Sequence, residues 1–144
     1  MFFDGASKNN PGKAGAGGII KDSQGKTIVS YEWGLGEMSN NLAEAYNLCL
    51  GTSILNRLNL RNSIIVGDSA IIIATMVSGT QFKKEVLNNI KTRILDNIQE
   101  LGDMLFKHVL RDNNNEADHL ASMATSRQIG QVKENELTYG KPIP

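Results

Sequence analysis

Four acidic residues, Asp4, Glu44, Asp68 and Asp118, stand where an acid needs a reason. Asp4 follows Phe2-Phe3 in a segment too short for a helix, and aspartate is disfavoured in strands. Asp4-Gly5 could also be a turn, although Asn9-Asn10-Pro11-Gly12 shortly afterwards is the denser turn signal. Glu44 shares a helical face with Leu48, Gly51 and Leu55. A carboxylate on an apolar face is costly unless something cationic compensates it, while the first turns of a helix by themselves favour an acid by about 0.3–1 kcal/mol. Asp68 closes Ile64-Ile65-Val66-Gly67 and opens the next helix. That is an N-cap position, which Ser69 could fill instead, and also the kind of strand end where ligand-binding residues gather. Asp118 lies in the first turn of the last helix, where the helix dipole alone suits it.

Read together, the four point to one patch. Two carboxylates ~4 Å apart repel by about 4 kcal/mol at an effective dielectric near 20, so such a cluster stays ionised only beside cations. Carboxylate oxygens with room for water suit Mg²⁺ or Mn²⁺. Zinc is disfavoured, because Cys49, His108 and His119 do not form a ligand pair at the usual spacing.

The elements that must position these acids follow from periodicity and turn chemistry. Residues 2–6 read as a strand, residues 14–21 as a glycine-rich buried strand, and residues 27–34 as a third. Short turns between them indicate an antiparallel meander. Helical spacing then spans 40–58, with Ser39 or Asn40 as N-cap. A strand at 63–67, a helix over 69–77, a helix over 83–101 ending at Gly102, a fifth strand at 104–110 and a last helix over 115–128 complete the pattern. The expected fold is α/β: a mixed five-stranded sheet, its first three strands antiparallel, flanked by helices. Residues 1–128 are expected to be one catalytic domain. Residues 129–144 are polar, with two of the three prolines in the last three positions, and read as a tail or linker.

Composition bounds the function. The 144 residues suit one domain. Fifteen basic and fifteen acidic side chains balance, so nucleic acid would have to be held by a local patch or by bound metal. The lone Cys49 cannot form an internal disulfide. No apolar run approaches the ~20 residues that span a bilayer, and Met1-Phe2-Phe3-Asp4 shows no leader. An intracellular monomer, in cytoplasm or nucleus and away from membranes, is expected.

Four segments in order carry a resemblance: Phe3-Asp4-Gly5-Ala6-Ser7 with Asn9-Asn10-Pro11-Gly12; Ser39-Asn40-Asn41-Leu42-Ala43-Glu44; Val66-Gly67-Asp68-Ser69; and Asn114-Asn115-Glu116-Ala117-Asp118-His119-Leu120-Ala121. From Met1 to about Arg127 the chain resembles the type 1 ribonuclease H family, in pattern the plant-like and archaeal-like domains found in retroelement polyproteins. The resemblance implies an endonuclease that cuts the RNA strand of RNA/DNA hybrids with two Mg²⁺ or Mn²⁺ ions, leaving 5′-phosphate products. It places Asp4, Glu44, Asp68 and Asp118 on the four metal-binding catalytic carboxylates. Asp4 would bridge both ions, Glu44 and Asp68 would share the ion at the leaving 3′ oxygen, and Asp118 would hold the ion that activates water. It places Asn10, Asn40 and Asn41 against the hybrid, where an amide can both donate to and accept from a 2′-hydroxyl. Ser7 and Ser39 would hydrogen-bond phosphate or sugar, and His108, Arg111 and Asn114 are auxiliary candidates. Reverse-transcriptase or integrase domains of a polyprotein are the implied neighbours.

Three departures from the family pattern modify the expectation. The segment from Gly79 to Lys91 offers only Lys83, Lys84 and Lys91 with Phe82, where well-known members carry a basic, tryptophan-bearing protrusion. Ala70 replaces a polar residue after Asp68. His108 falls on a strand end, where a histidine is more often structural, which leaves Arg111 to assist product release. The alternatives are a weak or silent hybrid-binding module and another nuclease on the same scaffold, and Asn40-Asn41 ahead of Glu44 argues against the latter. A phosphate-binding loop around Gly12-Lys13-Ala14 fails for want of the required spacing and hydroxyl residue.

Overall fold

The computed structural model of the chain describes residues 1–7, 12–79, 81–138 and 141–142, from 136 onward by backbone alone. Strands β1 (Phe2–Ser7), β2 (Gly12–Lys21) and β3 (Thr27–Met38) form the expected antiparallel meander. Helix α1 (Asn40–Arg57) leads to β4 (Ile64–Gly67), then to helices α2 (Ala70–Ser78) and α3 (Glu85–Ile98). Strand β5 (Leu105–His108), a 3-10 turn at Arg111–Asn113 and helix α4 (Asn115–Ala124) follow. Strand β4 is parallel to both β1 and β5. Helix α3 is trimmed at both ends relative to its expected span, and the last helix stops at Ala124 rather than near 128.

One expectation needs correcting. The segment from 129 is not a bare tail: Val132–Thr138 forms β6, antiparallel to β3, and meets a short β7 at Lys141–Pro142. The full order is β5-β4-β1-β2-β3-β6-β7, two strands more than expected. The cause lies in β3, whose outer edge from Val29 to Trp33 would otherwise be left unpaired and takes β6 as its antiparallel partner. Ties hold the new strand there: Gly34 N–H donates to Gln131 O (3.0 Å), Gly130 N–H donates to Gly34 O (2.7 Å), and Arg57 pairs with Glu134 at 2.7 Å.

The main core lies between the sheet and helices α1, α2 and α3, built on Phe3, Tyr31, Leu48, Leu55, Ile65 and Ile72, all almost fully buried. Helix α4 packs against β1, β2 and β3, and its close approach depends on β2 lacking side chains beneath it. A Cβ built on Gly17 would overlap Ala121 N and come within 2.6 Å of Leu120 Cβ. No helix among the described residues is long and apolar enough to cross a membrane.

Candidate metal centre and cleft

Strand β1 is central, and it pairs with β4 at a single register position, Phe2 with Val66. One flank of β1 at Asp4 and Gly5 is therefore left without a neighbouring strand, which opens a gap at the carboxyl end of β4. Helix α1 closes on that gap because Gly5 has no side chain: a Cβ there would lie 2.6 Å from Glu44 N and 2.7 Å from Ala43 C. Ser39, not Asn40, caps α1 by accepting from Leu42 N–H at 3.3 Å. Glu44 consequently points inward with its face-mates Leu48 and Leu55, and only 5% of it is exposed.

Asp68 is released from capping duty, since the Ser69 hydroxyl takes that role toward Ile72 N–H. Asp4, Glu44 and Asp68 each bring one carboxylate oxygen within 4.8 Å of the others. Asp118 lines the same cleft as these three and stands close enough to Asp4 to raise its pKa. Asn114 helps to place Asp118. It does not cap α4; its Nδ2 donates to Phe3 O at 2.8 Å, tying the start of the helix to the residue before Asp4.

The electrostatics fit a cation. Burial pushes Asp4 well above the carboxylate range, helped by the hydrogen bond and charge of Glu44. Burial likewise raises Glu44, against a hydrogen bond with Asp4 and one from Gly5 N–H that pull the other way. Glu44 Oε2 is buried with no hydrogen-bond partner, an unsatisfied acceptor of the kind a hard cation relieves. The residues present therefore fit a divalent ion.

A pH dependence follows. Folded-state pKa values raised above the unfolded ones mean that the folded chain binds more protons, so this contribution is fully present below the ordinary carboxylate range and fades as pH rises through the raised values. In chelator, the melting temperature should rise as pH drops from neutrality toward 5, and Mg²⁺ at neutral pH should restore much of the difference. A chelated domain that melts at the same temperature across that range would contradict the placement of Asp4 and Glu44.

The four acids face a cleft of about 450 Å³ also lined by Gly5, Ala6, Ser7, Asn40, Asn41, Ser69 and Arg111. Of the other expected contacts, Ser7 lines the cleft while donating to Met38 O at 2.7 Å. Ser39 is not among the lining residues, and its oxygen is engaged in capping. Asn10 lies outside the described residues. His108 sits at the end of β5 with Nε2 3.2 Å from Asp68 O and does not line the cleft. Arg111 does line it, 3.3 Å from Asp118 Oδ1 and largely exposed. Sequence reasoning missed Asn47, fully buried one turn beyond Glu44. The signal was available: an amide on the same apolar face that made Glu44 conspicuous.

A family profile described as "Reverse transcriptase-like" matches residues 2–124, a span that includes all four acids. The chain belongs to this ribonuclease H-like family. Ribonuclease HI of Halobacterium salinarum is 26% identical over 123 residues, covering 85% of this chain and 62% of that protein. A bifunctional protein of Mycobacterium tuberculosis is 25% identical over 122 residues, covering 84% of this chain and 34% of that one. The chain thus spans only part of the relatives it matches. Among solved structures, RNase H1 of H. salinarum superposes with a TM-score of 0.79 at 26% identity, covering 85% of this chain and 92% of that one. LC11-RNase H1 in complex with an RNA/DNA hybrid gives 0.78 at 28%, covering 85% and 93%. The ribonuclease H architecture explains the mixed sheet order around β1 and accounts for the five strands read from the sequence; β6 and β7 extend it.

Proposed function

We propose that the chain is an endonuclease that hydrolyses the RNA strand of RNA/DNA hybrids, with two divalent ions held by Asp4, Glu44, Asp68 and Asp118. The observation that carries this reading is the convergence of four carboxylates, remote in sequence, on one cleft, with buried Glu44 Oε2 lacking a partner. The hybrid bound to LC11-RNase H1 supports the substrate class.

When bound, Mg²⁺ or Mn²⁺ supplies an activated water and neutralises charge on the scissile phosphate, giving 5′-phosphate and 3′-hydroxyl ends. The protein's own part is positional. Asp4 and Glu44 are locked by burial, so their oxygens need no reorganisation as charge develops. Asp68 and Asp118 complete the acidic wall from the end of β4 and the first turn of α4. Asn40 and Asn41, at the start of α1, present amides that can pair with a 2′-hydroxyl and so distinguish RNA from DNA. Arg111 offers a guanidinium at the rim that can hold a phosphate and loosen it from the acids afterwards. Operation inside a longer polyprotein, beside reverse-transcriptase or integrase domains, belongs to the same reading.

The deciding experiment incubates labelled RNA/DNA hybrid, double-stranded RNA and double-stranded DNA with the protein and Mg²⁺ or Mn²⁺. Cleavage confined to the RNA of the hybrid is expected. Retention of hybrid without cleavage would instead favour a binding module, and cutting of duplex DNA would favour another nuclease on this scaffold. Within the same assay, His108→Ala should retain activity within about threefold, as befits an exposed strand-end side chain. Arg111→Ala should slow turnover by about tenfold or more. The reverse order would exchange their roles.

A further inference from the structure

Beneath the acidic wall, the Asn47 side chain ties α1 to all three strands of the meander. Its Nδ2 donates to Asp4 O and, at 2.8 Å, to Gly17 O, while its Oδ1 accepts from Tyr31 Oη at 2.6 Å. Asp4 and Gly17 are register partners across β1 and β2, and Tyr31 stands on β3 opposite Gly18. Both amide protons and the amide oxygen are thereby used, in a residue with no exposed surface. Tyr31 fixes the direction of the amide, because burial raises its pKa and keeps the hydroxyl protonated. With the hydroxyl donating to Oδ1, the amide cannot turn without setting its oxygen against two carbonyl oxygens. Among the described residues no other side chain hydrogen-bonds to the Asp4 backbone, and Glu44 lies one helical turn before Asn47.

We infer that Asn47, oriented by Tyr31, is a positioning residue that sets the separation of the Glu44 and Asp4 carboxylates and through it the affinity for divalent metal. This rests on the functional reading above. An amide that only filled the core would influence stability alone. One that joins the peptide carrying Asp4 to the helix carrying Glu44 also decides whether the two carboxylates sit at a spacing that one ion can share. Supporting residues of this kind typically change metal affinity by about 10-fold to 100-fold when removed.

The test compares wild type with Asn47→Ala and Tyr31→Phe in three measurements: the cooperative thermal melt, Mn²⁺ affinity by calorimetric titration, and the Mg²⁺ concentration for half-maximal cleavage of a hybrid. Asn97→Ala serves as the control for lost stability. Asn97 Nδ2 donates to Cys49 O and Thr52 Oγ1, both at 3.1 Å, joining α3 to α1 away from the cleft. Well below their melting temperatures, Tyr31→Phe and Asn47→Ala should show Mn²⁺ affinity and the Mg²⁺ midpoint weakened by about tenfold or more, with KM for hybrid at saturating metal within about twofold. Asn97→Ala should lose comparable stability with unchanged metal affinity. Should Asn47→Ala fail to fold, Tyr31→Phe decides, since it deletes a single hydroxyl. Unchanged metal binding in a folded Tyr31→Phe protein overturns the inference while leaving the nuclease reading intact, and loss of folding in that variant assigns the pair to architecture and overturns it equally. A wild-type protein that neither binds Mn²⁺ nor cuts hybrid overturns the nuclease reading, and the inference with it.

Discussion

Asp4→Asn should lower hybrid cleavage by about a thousandfold or more, corresponding to the several kcal/mol that metal-assisted displacement supplies. The fold should survive and, in chelator, melt at a higher temperature. The reason is the position of Asp4: only 4% exposed, with Glu44, Asp118 and Asp68 all close enough to raise its pKa. An amide keeps the size and hydrogen-bonding reach of the carboxylate but needs neither a buried charge beside other acids nor the proton that neutralises it on folding. Rate and stability should therefore move in opposite directions, which general damage to the fold does not produce. Turnover within tenfold of wild type would remove Asp4 from the reaction. Asp68→Asn should behave alike in rate, with a smaller gain in stability because Asp68 is less buried.

Gly17→Ala should cost about 3 kcal/mol and lower the melting temperature by roughly 10 °C. It adds only a methyl group, but the atoms in the way are the backbone of α4 at Ala121 and the Cβ of Leu120. Backbone cannot rotate aside, so the helix must lift. Asp118 lies less than one turn before Leu120 on that helix, and its carboxylate would leave the group around Asp4. Activity should fall further than fractional unfolding explains at a temperature where the variant is still folded. A drop of less than about 3 °C would mean that α4 rides higher on the sheet than described.

Much of this was readable in advance because the elements that position the site are bounded by turn and cap signals and carry apolar residues at regular spacing. Strands β1 to β3 carry turn signals between them, and α1 repeats apolar residues at helical spacing through Ala43, Leu50 and Ile54. Asp4 and Glu44 were conspicuous because each broke a local rule, whereas Asp68 and Asp118 also suited their helix starts; all four line one cleft. Two things were hidden and a third was overlooked. Strand β6 reads Val132-Lys133-Glu134-Asn135-Glu136, and a strand outside the core needs no apolar face, so it leaves no alternation to detect. Capping by Ser39 and Ser69 was one of two options at each helix start, and only geometry separates them. Asn47 was passed over because an amide is neutral and its partners, two backbone carbonyls and a tyrosine, are distant in sequence.

The strand laid along β3 has a practical consequence for anyone shortening this polypeptide. Cutting at 128, where the sequence alone would place the boundary, strips the cover from the five residues of β3 from Val29 to Trp33. A naked margin of that length templates pairing of one molecule onto the next. Such a trimmed product would be prone to clump during purification, and the low specific activity then measured would be mistaken for a defect in catalysis.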